Sequence, residues 1–162
     1  PKRLSSKYVP KLNVIKHAVL ESEKHFNQKF NYVVDLDVTA PCRDANDVKK
    51  AFKKFKKSKK NMLVSVAKSK KNPYFNMLEI KKGQISLVKK NSRKIFSRQQ
   101  SPTVYDMNAA IYIWKRSKLL QSKNLLQKSL SIYEMPQEKS IDIDTELNFR
   151  INEMIIKKFN LN

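Results

Sequence analysis

Residues 32–67 decide the fold. Tyr32-Val33-Val34-Asp35-Leu36-Asp37 is β-rich and short, which suits a central strand, and Pro41 ends it. Val48, Ala51, Phe52 and Phe55 then recur at helical spacing, with lysines between them. Asp44 is placed as the N-cap of that helix and Asp47 as the acidic residue at its third position. Met62-Leu63-Val64-Ser65-Val66-Ala67 follows as a continuous apolar run, short and branched enough for a buried strand.

Outward from this core the alternation continues. Leu12, Ile15, Val19 and Phe26 put one apolar face on a helix over roughly 11–29. Leu78-Glu79-Ile80 and Ile85-Ser86-Leu87-Val88 flank Lys81-Lys82-Gly83-Gln84, a hairpin with Gly83 at a positive-φ position. A polar stretch from Lys89 to Pro102 leads to a buried strand over Ala109–Trp114. A short helix over 116–127, a strand over Leu130–Tyr133 and a last helix carrying Leu147, Ile151, Met154 and Ile155 complete the chain. The order predicts one α/β domain over 1–162, with an antiparallel insertion at 72–105.

Composition narrows the function. The 162 residues carry 35 Lys+Arg against 14 Asp+Glu, a formal charge of +21. Residues 49–60 hold eight lysines in twelve positions, but they fall on the outer face of the expected helix. The other lysines are spread along the chain, with no zinc-finger, RRM or helix-turn-helix pattern, so a nucleic-acid partner is not expected. No apolar run approaches the ~20 residues of a membrane span, and no apolar leader segment is visible. The lone Cys42 excludes an intrachain disulfide and a cysteine zinc site, which suits a reducing cytoplasm. One glycine, Gly83, is too few for a glycine-rich phosphate loop within these residues.

Two D-x-D pairs carry the candidate chemistry. In extended backbone, side chains two apart face the same way, so Asp35/Asp37 and Asp142/Asp144 each present two carboxylates together. Mg²⁺ takes one or two carboxylates plus waters and phosphate oxygens, which such pairs supply. Asp37 should also lie beyond the carboxyl end of a strand, where open α/β sheets bind ligands. Structural alternatives stand beside these: Asp37 as an Asx-turn former, and Asp144 or Thr145 as the N-cap of the last helix. His17 and His25 read as surface residues, and Cys42 as a buried small hydrophobe.

Five segments, in order, resemble one family: Asp35-Leu36-Asp37-Val38-Thr39-Ala40-Pro41-Cys42-Arg43, Asn72-Pro73-Tyr74-Phe75-Asn76-Met77, Arg98-Gln99, Tyr105-Asp106-Met107-Asn108-Ala109-Ala110-Ile111-Tyr112, and Ser140-Ile141-Asp142-Ile143-Asp144-Thr145-Glu146-Leu147. Together they resemble the acylneuraminate cytidylyltransferases, the CMP-sialic acid synthetases and their legionaminic and pseudaminic acid relatives. The resemblance implies a three-layer, Rossmann-like nucleotidyltransferase sheet. It also implies transfer of CMP from CTP to the anomeric hydroxyl of a nine-carbon acid sugar, with Mg²⁺ as cofactor and release of pyrophosphate. Asp142 and Asp144 match the metal-binding aspartates. Asp37 and Thr39 match positions facing the nucleotide–sugar cleft, and Arg98, Gln99 and Asn108 match positions near the sugar and phosphates. The 72–105 hairpin matches an arm that pairs two subunits into a homodimer.

Departures set further expectations. Asp37 stands where sialic acid members usually carry glutamine, which leaves open the sugar and a second metal ligand at Asp37. The family's glycine-rich basic loop precedes the segment that Pro1 matches, so the sheet is expected to be incomplete at the N-terminus. The chain is then expected to be a C-terminal fragment or a split-off half of the fold, which alone does not bind CTP productively. The competing expectation is a non-catalytic binding module with a basic, anion-attracting surface.

Overall fold

The computed structural model describes residues 1–6, 8–90 and 97–159, with the side chain of Arg98 outside it. Residues 91–96, part of the expected 72–105 arm, therefore lie outside the described residues.

Helix α1 (Lys11–His25) buries Leu12, Ile15 and Val19 and stops four residues short of the expected end. The chain turns there because Asn27 adopts a left-handed φ of 47° and the Phe30 N–H bonds back to Glu23 Oε1 at 3.0 Å. The same carboxylate holds Arg116 through Nε at 2.8 Å and Nη2 at 2.6 Å. This buried, two-pronged pair fastens the end of α1 to the far end of the sheet and holds Glu23 below the usual carboxylate range.

The main sheet contains β1 (Tyr32–Asp35), β5 (Tyr105–Lys115), β2 (Met62–Lys68) and β6 (Leu130–Glu134), in that spatial order. β2 and β6 are parallel, while β5 runs antiparallel to both β1 and β2. The carboxyl ends of β1, β2 and β6 thus face the same side. The first strand, expected at the centre, flanks the sheet among the described residues: Val33 is only partly covered and Val34 is exposed.

Alternation along β2 explains its continuous apolar run. Met62, Val64 and Val66 join α1 residues, Tyr112 and Trp114 in one core cluster. Leu63 joins Ala51 and Phe55 of α2 (Ala45–Ser58), together with Ile111 and Ile113, in the other. Both sides of the strand are buried, so neither could be polar. The lysine face of α2 points to solvent. Its expected capping box is present: Asp47 N–H donates to Asp44 Oδ1 at 2.8 Å and Asp44 N–H to Asp47 Oδ2 at 3.1 Å.

The hairpin β3–β4 (Leu78–Lys81 and Gln84–Leu87) forms a separate two-stranded sheet. Lys82 (φ 51°) and Gly83 (φ 79°) both take the left-handed conformation that a two-residue turn requires. Helix α3 spans only Arg116–Gln121, shorter than the expected 116–127, and α4 spans Glu146–Phe159. Thr145 caps α4, accepting from Asn148 N–H at 3.2 Å. No described helix is long and apolar enough to cross a membrane.

Lys139 crosses to the start of α2, reaching Asp44 Oδ2 at 2.6 Å and Asp47 Oδ2 at 2.9 Å. Asp44→Ala removes the cap and one partner of that ammonium, and is expected to lower stability by about 1–2 kcal/mol in urea unfolding. The Lys139 hydrogen bond, followed by the Asp47 amide, holds Asp44 below its ordinary value. Its contribution is therefore complete above the unfolded carboxylate range and lost as the pH falls through the depressed folded value. Acid titration below about pH 4 should narrow the stability gap between wild type and Asp44→Ala; a gap that widens on acidification would contradict this pairing.

Candidate functional site

The sheet departs from regular pairing at one place. Between the pairs Val64↔Tyr112 and Val66↔Met107, β2 advances two residues and β5 advances five. Ladder bonds cannot form across such a bulge, and buried backbone groups there need other partners. Side chains supply them. Ser65 Oγ accepts from Ile111 N–H at 2.7 Å and donates to Asn108 Oδ1 at 2.6 Å. Asn108 Oδ1 also takes the Ala110 N–H at 3.3 Å. Ala109, between them, sits at a left-handed φ of 54°, strain that this network holds in place.

Asn108 is thereby turned toward the carboxyl ends of the parallel strands. Its Nδ2 donates to Ser140 Oγ at 2.8 Å, and Ser140 Oγ donates to Pro136 O at 2.7 Å. Asn108 and Ser140 line a cavity of about 440 Å³, with Lys68, Lys70, Lys71, Asp106 and Gln137 around its rim. A smaller cavity of about 240 Å³ shares Lys68 and Ser69 and is lined by Gln99, Asn72 and Thr103. Gln99 is exposed there, in the short turn Arg98–Gln100; the Arg98 side chain lies outside the described residues. Three lysines beside neutral hydrogen-bonding groups make the larger cavity attractive to an anion with hydroxyl groups.

Two residues beyond Ser140, Asp142 is half-buried, and its Oδ1 has no hydrogen-bond partner among the described residues. A buried carboxylate oxygen with nothing to accept from is costly unless a cation or donor comes to it. Asp144 is exposed. Among the described residues no three His, Cys, Asp or Glu side chains are grouped to hold a metal ion. The open Asp142 Oδ1 fits a cation that takes its remaining ligands from water or phosphate, as Mg²⁺ does.

The first D-x-D pair does face one way, as its spacing predicts, and what it faces is Lys11. Lys11 Nζ lies 2.9 Å from Asp35 Oδ2 and 2.7 Å from Asp37 Oδ2, and 4.7 Å above the centre of the Tyr112 ring. Both Asp37 oxygens are engaged: Oδ1 takes Thr39 Oγ1 at 3.0 Å and Thr39 N–H at 3.3 Å. Asp37 is thus an Asx-turn former as well as an ion-pair partner. Burial works against its charge, yet Lys11 and Thr39 together hold it below its ordinary value. Arg43 Nη1 adds bonds to the carbonyls of Asp37 and Ala40, closing the turn from below. Burial pushes the Tyr112 hydroxyl up, Lys11 opposes, and the charges of Asp37, Asp35 and Asp142 add to the rise. The early and late aspartates therefore lie within electrostatic reach of one ring.

Cys42 is buried with Sγ 2.9 Å from Asn152 Oδ1, and burial raises its thiol. It packs the Pro41 loop against α4 and takes no part in the cavity. His17 is half-buried and His25 exposed, both on α1. Sequence reasoning did not single out Ser65, Ser140 or Lys11. Ser65 had a signal, as the one polar residue inside an apolar run. Lys11 had another: a cation in the first turn of a helix opposes the helix dipole.

No family model matches the chain. Among known proteins it is 39% identical over 158 residues to post-translational flagellin modification protein B of Campylobacter coli. It is 38% identical over 158 residues to CMP-N,N'-diacetyllegionaminic acid synthase of Campylobacter jejuni. Each match covers 98% of this chain and 66% of the relative, so the chain spans slightly less than two thirds of their length. N-acylneuraminate cytidylyltransferase of Streptococcus agalactiae is 30% identical over 129 residues, covering 79% of this chain and 30% of that protein. These relatives, two of them matched over nearly the whole of this chain, bear out its resemblance to the acylneuraminate cytidylyltransferases.

Proposed function

We propose that these residues form the sugar- and metal-binding side of a cytidylyltransferase, which joins CMP from CTP to a nine-carbon acid sugar. The anomeric hydroxyl oxygen attacks the α-phosphorus, the bond from that phosphorus to the bridging oxygen breaks, and pyrophosphate leaves. The hydroxyl proton passes to solvent. The observation that carries this reading is the unpartnered, buried Asp142 oxygen, two residues along the chain from Ser140, which lines the lysine-rimmed cavity with Asn108. The names of the Campylobacter and Streptococcus relatives support the same chemistry.

Each group has a physical task. Asp142 and Asp144 would hold Mg²⁺, which when bound neutralises phosphate charge. Lys68, Lys70 and Lys71 attract the anionic substrates, and the exposed lysines of α2 extend that attraction to longer range. Gln99 and Gln137 offer amide groups to sugar hydroxyls, and Asn108, buried with both its ends bonded, positions Ser140 at the cavity. Thr39 and Asp37 line neither cavity and reach the late D-x-D segment instead, through the bond from Ile143 N–H to Thr39 O. With both its oxygens occupied by Lys11 and Thr39, Asp37 is not a metal ligand in this reading.

The fold reading follows. α1 and α2 covering opposite sides of the sheet support a three-layer nucleotidyltransferase arrangement over 1–162. The hairpin in the 72–105 arm leaves Leu78, Ile80 and Ile85 exposed. A two-stranded ribbon with an apolar surface is marginal alone, so a second copy covering it in a homodimer is the favoured state.

Pyrophosphate release by the full-length gene product tests the activity. Release should require CTP, Mg²⁺ and an acid sugar, with N,N'-diacetyllegionaminic acid and N-acetylneuraminic acid as the two sugars to compare. Asp142→Asn should lower turnover by about 100-fold or more while the circular dichroism stays unchanged. Sugar-independent release, or full activity in Asp142→Asn, would contradict the proposal. For the arm, Ile80→Glu combined with Ile85→Lys should convert a dimer to a monomer in sedimentation. A dimer that persists would remove the arm from the interface.

A further inference from the structure

Lys11 occupies the first position of α1, and no acidic residue stands in that helix's first turn. An ammonium there meets the positive end of the helix dipole, so its location is explained by what it touches and not by helix stability. It touches three groups at once: Asp35 at 2.9 Å, Asp37 at 2.7 Å and the Tyr112 ring at 4.7 Å from its centre. From Asp37 a hydrogen-bonded chain continues. Its other oxygen holds Thr39 through both the hydroxyl, at 3.0 Å, and the amide, at 3.3 Å. Thr39 O then accepts the Ile143 N–H at 2.8 Å. Ile143 is the residue between Asp142 and Asp144.

We propose that Lys11 is a positioning residue for the late D-x-D segment, acting through Asp37 and Thr39 to fix where Asp142 and Asp144 stand. The inference rests on the metal reading given above. The segment needs such a support because its own contacts are sparse: residues 141–143 have no regular secondary structure, and Asp144 is exposed. Without the ammonium, Asp35 and Asp37 would repel each other and, at longer range, Asp142. The turn that carries Thr39 O would then move away from Ile143. Lys11 touches neither substrate nor metal in this scheme; it holds in place the segment whose carboxylates do.

Hydrogen exchange of the metal-free protein, together with Mn²⁺ binding by calorimetry, tests this in wild type, Lys11→Met, Lys11→Arg and Asp37→Asn. Lys11→Met keeps the aliphatic stem, and Asp37→Asn keeps an acceptor for Thr39 while removing the charge, so at least one variant should stay folded. Exchange over residues 140–146 is expected to rise about tenfold in Lys11→Met and Asp37→Asn, with β2 unchanged. Mn²⁺ affinity should fall about fivefold or more in the same two variants, and Lys11→Arg should restore both readouts. Unchanged exchange over 140–146, with Mn²⁺ bound as in wild type, would overturn the positioning role and leave the metal reading intact. Failure of the wild type to bind Mn²⁺ would sink the metal reading, and this role with it, whatever the exchange rates.

Discussion

Buried peptide groups must have hydrogen-bond partners, and at the bulge in β5 the backbone cannot provide them. Ser65 and Asn108 do so instead, each through a side chain that bonds to the other and to a stranded amide. Because Asn108 is held on one side by Ser65, its amide nitrogen can only serve the other side, where Ser140 and the cavity lie. One packing constraint thus closes an irregular sheet and orients a polar group at the carboxyl ends of three parallel strands. Without it the strained Ala109 would have no reason to keep its conformation.

Much of this architecture is legible in the residues. The capping box at Asp44 and Asp47, the positive-φ turn at Gly83 and the apolar run of β2 are local features, and local chemistry determines them. The flanking place of β1 is not local. A short apolar segment reads alike whether it has neighbours on one side or two, and only pairing with β5 reveals the difference. The early end of α1 depends on Glu23 reaching Phe30 and Arg116, the latter distant in sequence, which no periodicity could indicate.

The site divides in the same way. Side-chain alternation correctly put Asp35 and Asp37 on one face, yet spacing could not say that a lysine from another helix would fill that face. The structural alternatives weighed for Asp37 and Thr145 also hold: one forms an Asx turn, the other caps α4. Asn108 was singled out by resemblance, whereas its role in the bulge becomes visible only with Ser65 opposite it. The relatives' names point to a chemistry, whereas the unpartnered Asp142 oxygen and the lysine-rimmed cavity are features of the fold alone.

The proposed metal site at Asp142 and Asp144 is tested most directly by where a divalent cation binds. Paramagnetic broadening of backbone amide signals by Mn²⁺, recorded with CMP present, locates that place directly. Broadening centred on residues 142–144, and extending to Asn108 and Ser140, is the expected result. Broadening centred on residues 35–39, or scattered over the surface with no centre, would contradict it.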